Sequence, residues 1–315
     1  MGIQVEGIIQ QNLYTPTEKQ LLRGSKMDNN ILEILIFNVG QAQCIFFYPR
    51  SNPEYGMLVD CGSGEDYDPT DFLVEKGFFH RMGGINTLSN LTLTNYDHDH
   101  FSGLPKLRQN VFIQTVSLPQ NISSTELKSI KPEITNALQN VCYLKDTYTT
   151  PAPYHTPPYS KYLYSLTQDE LGMEAINTNH LSQLVFIEYG GSKICIGGDL
   201  ERNPAWGKIL QKTEIQNHLR STNVVVAAHH GHDNGYHEDI FLHCLNPDCI
   251  VISDKDIIYD TQDGMASIYS KHVPMGIALN GANPARKVLT TRSDGHLWIS
   301  FYTNGARTYQ SFSIN

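Results

Sequence analysis

The chain has 315 residues, with 23 Lys and Arg against 32 Asp and Glu and a formal net charge of −9. That balance argues against a sequence-independent grip on long DNA, which needs Lys and Arg to displace counterions from the phosphates, but it leaves room for short or single-stranded nucleic acid on a local basic strip. No apolar stretch approaches the ~18 to 20 residues needed to cross a bilayer, and the first residues lack the charged, apolar, small-residue order of a secretory leader. Six cysteines without a C-x-x-C pair read as free thiols of a cytoplasmic protein.

Residues 1–29 are polar and weakly patterned, and read as an extension without assigned function ahead of a domain covering 30–315. Residues 31–38, 43–48 and 56–60 are short runs rich in Ile, Phe and Val between Gly and Pro turns, the pattern of three strands in an antiparallel meander. Asp60 closes the third, placed either to cap a turn or to orient a ligand histidine from behind. Residues 70–83 read as a helix with Phe72, Leu73, Phe78 and Phe79 on its apolar face. A second helix is expected over 124–141, capped by Ser123 or Ser124. An insert at about 142–170 is rich in Pro and Tyr. Tyr148, Tyr154, Tyr159, Tyr162 and Tyr164 make it either a packed loop or a lid whose rings stack on bases. Residues 183–189 and 193–196 read as a hairpin turning at Gly190-Gly191-Ser192. Helical patterns at 206–219, 236–244 and 263–271 alternate with strands at 223–227, 249–253, 287–291 and 297–302.

The most informative stretch is Leu91-Thr92-Leu93-Thr94, which alternates like a half-buried strand and runs straight into Asn95, Asp97, His98, Asp99 and His100. Four ionisable groups in four consecutive positions repel one another and lose hydration if buried. A bound cation removes both problems. Any one of these residues suits a solvated turn. The whole run, set after a strand and accompanied by other His and Asp clusters, reads as a metal site.

This run resembles the first metal motif of the metallo-β-lactamase fold, H-x-H-x-D-H. It is closer to the H-x-D-x-D-H form of the soluble hydrolase domain of the DNA-uptake protein ComEC. Phe37-Asn38-Val39-Gly40-Gln41-Ala42 is similar to that family's D-V-G-Q-G-D, and Leu58-Val59-Asp60-Cys61-Gly62 to its L-I-D-T-G. Gly197-Gly198-Asp199-Leu200-Glu201, Ala228-His229-His230-Gly231 and Thr290-Thr291-Arg292-Ser293-Asp294-Gly295 are similar to its T-G-D-L-E, P-H-H-G and R-T-D-x-D-G. Asn95 departs from the pattern, standing where the family has a metal-binding His.

The resemblance implies an α+β fold, the four-layer αββα metallo-β-lactamase sandwich, and a metal-dependent hydrolase. It implies one metal site from Asp99, His100, Asp199 and one of His229 and His230, with His230 preferred because it precedes Gly. A first site would draw on Asp97, Asn95, His180 and a bridging Asp199. Such an oxygen-rich set suits Mn²⁺ or Zn²⁺, one or two ions. Metal-activated water attacking a phosphodiester of single-stranded nucleic acid or a nucleotide is the expected chemistry, with Asp97 or Asp99 accepting a proton. His232, Asn234 and Tyr236 follow the His pair and are expected to touch the phosphate. The alternative is a binding or regulatory module whose catalysis is weakened at Asn95.

Overall fold

A computed structural model describes residues 30–150, 156–172, 177–255 and 260–314. In chain order its strands are β1 (Ile31–Ile36), β2 (Cys44–Pro49), β3 (Met57–Cys61), β4 (His80–Met82), β5 (Ile85–Thr92), β6 (Phe112–Ser117) and β7 (Ser160–Tyr164). There follow β8 (Leu184–Tyr189), β9 (Ser192–Ile196), β10 (Val224–Val226), β11 (Cys249–Ile252), β12 (Val288–Thr290), β13 (His296–Tyr302) and β14 (Arg307–Phe312). One sheet runs β14-β13-β1-β2-β3-β5-β4 with β6 also on β5, and the other runs β12-β11-β10-β9-β8-β7.

Side-chain alternation explains why two sheets stack. On β1, Leu32, Ile34 and Ile36 point one way and share a core with Val185, Ile187, Ile194, Ile196, Val224 and Val226 of the other sheet. Leu35 points the opposite way, with Phe46 and Leu58, into a second core lined by helical residues such as Phe72, Leu107 and Val141. The far face of the second sheet packs Phe186, Cys195, Val225 and Ile250 on Trp206, Ile215, Leu219 and Tyr269. Three apolar layers thus separate helix, sheet, sheet and helix. This is the expected αββα sandwich. Strands β9 to β12 pair in parallel and are apolar on both faces, which requires cover on both sides.

The meander β1-β2-β3 and the β8–β9 hairpin form as expected. Several other elements differ. The helix expected over 70–83 stops at Glu75, and the chain after Phe78 and Phe79 enters β4, because Gly77 takes a left-handed turn. The helix expected over 124–141 is two, Ser124–Ile130 and Asn136–Thr147, because Pro132 forbids the helical conformation at Lys131. The pattern at 206–219 divides into Gly207–Ile209 and Thr213–Arg220, and that at 236–244 shrinks to Ile240–His243. Strands β6, β7 and β14 were not expected.

The helix Asn136–Thr147 and β7 both run through the Pro- and Tyr-rich insert. Tyr148 donates to the Ile113 carbonyl at 2.6 Å and buried Tyr159 to the Tyr55 carbonyl at 2.9 Å. Tyr162 and Tyr164 pack on the His218 ring. These rings belong to the packed fold rather than to a lid; Tyr154, like the extension 1–29, lies outside the described residues. All six cysteines are free and buried. Among the described residues no helix is long and apolar enough to cross a membrane.

Lys161 of β7 reaches to the other sheet, donating to Asn90 Oδ1 at 2.8 Å, Ser117 Oγ at 2.9 Å and Thr92 Oγ1 at 3.3 Å. Neutral acceptors do not replace the water it loses, and burial lowers its pKa to about 8. Between that value and the ordinary lysine range the unfolded chain binds more protons than the folded one, so this group adds stability as pH rises through the window. Urea midpoints at about pH 7.5 and about pH 10 should show the wild type gaining on Lys161→Met as pH increases.

Candidate metal centre

The turns after β3, β5, β9 and β10 meet at one rim of the sandwich, the carboxyl ends of strands that run parallel within each sheet. Two glycines let them meet. A Cβ on Gly62 would lie 2.0 Å from the Asp99 carbonyl oxygen, and one on Gly198, at φ 54°, would lie 2.9 Å from Thr94. Of the four non-glycine residues with positive φ among those described, Asp60, His229 and His230 are all here. Such conformations cost roughly 1–3 kcal/mol each and persist where their surroundings fix them.

Asp60 is fully buried at the end of β3. Its carboxylate accepts from Thr94 N at 2.7 Å, Thr94 Oγ1 at 2.6 Å and Gln43 Nε2 at 2.7 Å, and holds His100 Nδ1 at 2.8 Å. On the other side of the rim, His230 Nδ1 lies 3.1 Å from the Ser253 carbonyl oxygen. A carbonyl oxygen and an ionised carboxylate only accept, so both rings carry a proton on Nδ1. Each therefore turns Nε2 toward the centre.

At that centre His100 Nε2 lies 3.0 Å from Asp199 Oδ2, and His230 Nε2 lies 3.2 Å from Asp99 Oδ2 and 3.6 Å from Asp199 Oδ1. One ligand atom from each of Asp99, His100, Asp199 and His230 falls within 4.8 Å of the other three. His100 Nε2, His230 Nε2 and Asp199 Oδ1 are buried and make no aligned hydrogen bond to the described residues. Close approach without hydrogen bonds leaves these atoms unsatisfied, a need that one shared ion would meet. Two imidazoles and two carboxylates so arranged fit a divalent ion. Without an ion, protons take that role. Burial favours neutral rings, yet Asp199 and Asp60 hold His100 well above the usual histidine range, and Asp99 and Asp199 raise His230. Burial likewise works against ionised Asp199 and Asp99, but the two histidines hold both carboxyls below their ordinary value.

The other candidates lie outside this four-residue cluster. Asp97 is bonded by Lys131 Nζ and by Thr178 Oγ1, the latter at 2.7 Å. Asn95 points its amide nitrogen at Asp199 Oδ2, 2.8 Å away. His180 Nε2 is 2.9 Å from Glu201 Oε2, and His229 Nδ1 is 3.8 Å from Glu201 Oε1. Asn234 donates to the same Glu201 oxygen at 3.1 Å, and Tyr236 places its hydroxyl 2.8 Å from His272 Nε2. His232 sits between Gln41 Nε2 at 3.2 Å and Thr261 Oγ1 at 2.7 Å. Glu201, which gathers two of the histidines, was visible only as the last residue of the Asp199 motif. Lys131 carries no local signal.

An open cleft of about 610 Å³ adjoins the cluster, with Asp99 on its wall beside Gln41, Ser102 and His98. Glu65 and Asp66 form part of one side, and Lys255 packs by Gly40. The Lys255 ammonium makes no hydrogen bond or ion pair to the described residues. Asp99 is 35% exposed, whereas the side chains of His100, Asp199 and His230 are 3% exposed or less. Asp99 is thus the member of the cluster that also meets solvent.

No family model and no curated protein sequence matches the chain. Several solved structures are similar to it. The metallo-β-lactamase fold protein YhfI from Bacillus subtilis is 9% identical with a TM-score of 0.45 over 84% of this chain and 98% of that one. A diphosphatase of the PhnP family is 9% identical with a TM-score of 0.39 over 87% and 85%. Zn²⁺-bound PqqB from Methylobacterium extorquens is 17% identical with a TM-score of 0.35 over 58% of each chain.

Proposed function

We propose that this chain is a metal-dependent phosphodiesterase acting on single-stranded nucleic acid or nucleotides, with Mn²⁺ or Zn²⁺ held by Asp99, His100, Asp199 and His230. The observation that carries this reading is the pair of Nδ1-protonated histidines whose Nε2 atoms cluster with two carboxylates within reach of one shared ion. An ion there supplies Lewis acidity that makes water nucleophilic near neutral pH and polarises a phosphoryl oxygen.

The protein's own residues supply the rest. Asp60 and the Ser253 carbonyl fix the two rings, so the cage is built before any ligand arrives. Asp99, ionised and open to the cleft, is placed to accept a proton from attacking water. Lys255 lines the cleft, unpaired among the described residues, where it can meet a phosphate, while Glu65 and Asp66 repel one that continues along that side. Such mixed charge favours a nucleotide or a short strand over duplex DNA, in keeping with the motif resemblance to a DNA-processing domain. Six free buried thiols fit a reducing compartment, and we place the protein in the cytoplasm.

Hydrolysis of bis(p-nitrophenyl) phosphate and of a dinucleotide by the metal-loaded protein tests the activity. Turnover that is lost to chelator and restored by Mn²⁺ or Zn²⁺ is expected. A protein that binds metal but turns over neither substrate would be a binding module instead. For the dinucleotide, Lys255→Ala should raise KM by roughly tenfold with kcat little changed, the size of one charged hydrogen bond lost from ground and transition states alike.

A further inference from the structure

Beside the four-residue cluster, Asn95, Asp97 and His180, the groups that would build a second metal site, already have partners, while His229 Nδ1 makes no hydrogen bond to the described residues and lies 3.8 Å from Glu201 Oε1. The Asn95 side-chain oxygen accepts from the Tyr96 backbone N–H, and its Nδ2 donates to Asp199 Oδ2 at 2.8 Å and to Asn179 Oδ1 at 3.0 Å. Those partners fix the amide orientation, since only the nitrogen can donate to two oxygens. Asn95 therefore presents a donor, not a lone pair, to Asp199. Asp97 Oδ1 takes both Lys131 Nζ and Thr178 Oγ1, and Lys131 reaches Thr178 Oγ1 as well, at 3.3 Å. Lys131 is mostly buried, its side chain 18% exposed. His180 is engaged with Glu201.

We infer that the chain holds a single metal ion, and that Lys131 supplies beside Asp97 the fixed positive charge that a second ion would bring. This rests on the metal-dependent reading above. Pro132 drives Lys131 out of helical geometry, to φ −85° and ψ 135°, at the end of the helix Ser124–Ile130. The Lys131–Asp97 pair then connects through Thr178 and the adjacent Asn179 to Asn95 and Asp199. An ammonium neutralises charge but has no open position for water. Water activation is left to the single ion, and Asp97 acts as a counter-ion rather than a ligand or base.

Metal counting by elemental mass spectrometry and calorimetric Zn²⁺ titration of chelator-stripped protein tests this. The wild type should bind one equivalent. Asn95→His combined with Lys131→Met, which restores a lone pair and leaves the Asp97 carboxylate only its Thr178 bond, should bind two. Two equivalents in the wild type would overturn the inference while leaving the metal reading intact; none would remove the reading beneath it. A folded double variant that still binds one equivalent would also overturn it, because these side chains would not be what withholds the second site. Should the double variant not fold, the wild-type count alone decides.

Discussion

Asp199→Ala should strip the protein of metal and lower phosphodiester hydrolysis by roughly a thousandfold or more, the several kcal/mol that a Lewis acid supplies in a transition state. Asp199 approaches both imidazole nitrogens of the cluster, one with each carboxylate oxygen, so its loss opens the cage on two sides. The fold should survive. Asn95 keeps its bond to Asn179, and each histidine keeps its Nδ1 partner. His180→Ala makes the informative contrast. His180 contacts Glu201 and stands outside the cluster, so metal content should hold and the rate should fall by about tenfold or less. Equal losses in the two variants would mean that His180 ligates after all. Full metal and full rate in Asp199→Ala would place the ion somewhere else.

Asp60→Ala should fail differently, in stability first. Asp60 touches no ion in this account, yet its carboxylate satisfies Gln43, both donors of Thr94 and His100 with full burial. Removing it leaves those donors unpaired, at a cost of about 3 kcal/mol or more. It also releases the His100 ring, which should weaken metal binding by roughly 10- to 100-fold. Asp60→Asn keeps the volume but turns an NH₂ group toward donors, so it should recover part of the stability and little of the affinity. Urea midpoints and a competitive chelator titration separate the two effects. Unchanged midpoints in Asp60→Ala would show that the network is not what holds the rim together.

Much of this architecture is legible in the chain because its strands are buried on both faces. Val224–Val226 and Cys249–Ile252 are apolar throughout and Ile31–Ile36 is apolar but for Glu33, as covered strands require. Strands at the edges are harder to read: Phe112 opens β6 but is 54% exposed, and β14 alternates Arg, Tyr and Ser in a pattern that a surface loop also shows. The break at Pro132 was readable from the residue itself and was overridden by the apolar spacing around it. At the site, the Gly after His230 points to the residue that the structure places in the cluster. Nothing near Asp97 announces that Lys131 arrives from a helix end 34 residues on. Whether Asn95 offers its oxygen or its nitrogen depends on Asn179, 84 residues away. On the single-ion reading, those long-range partners decide how many ions the centre accepts, and local pattern is silent about them.

The position of the ion decides most directly between these possibilities. Anomalous diffraction from crystals grown with Zn²⁺ or Mn²⁺, collected on both sides of the metal's absorption edge, reports that directly. One strong peak is predicted, about 2.0–2.2 Å from Nε2 of His100 and His230 and from carboxylate oxygens of Asp99 and Asp199, as expected for these ligand types. A peak between His180, His229 and Glu201, or none within reach of His100, would contradict it.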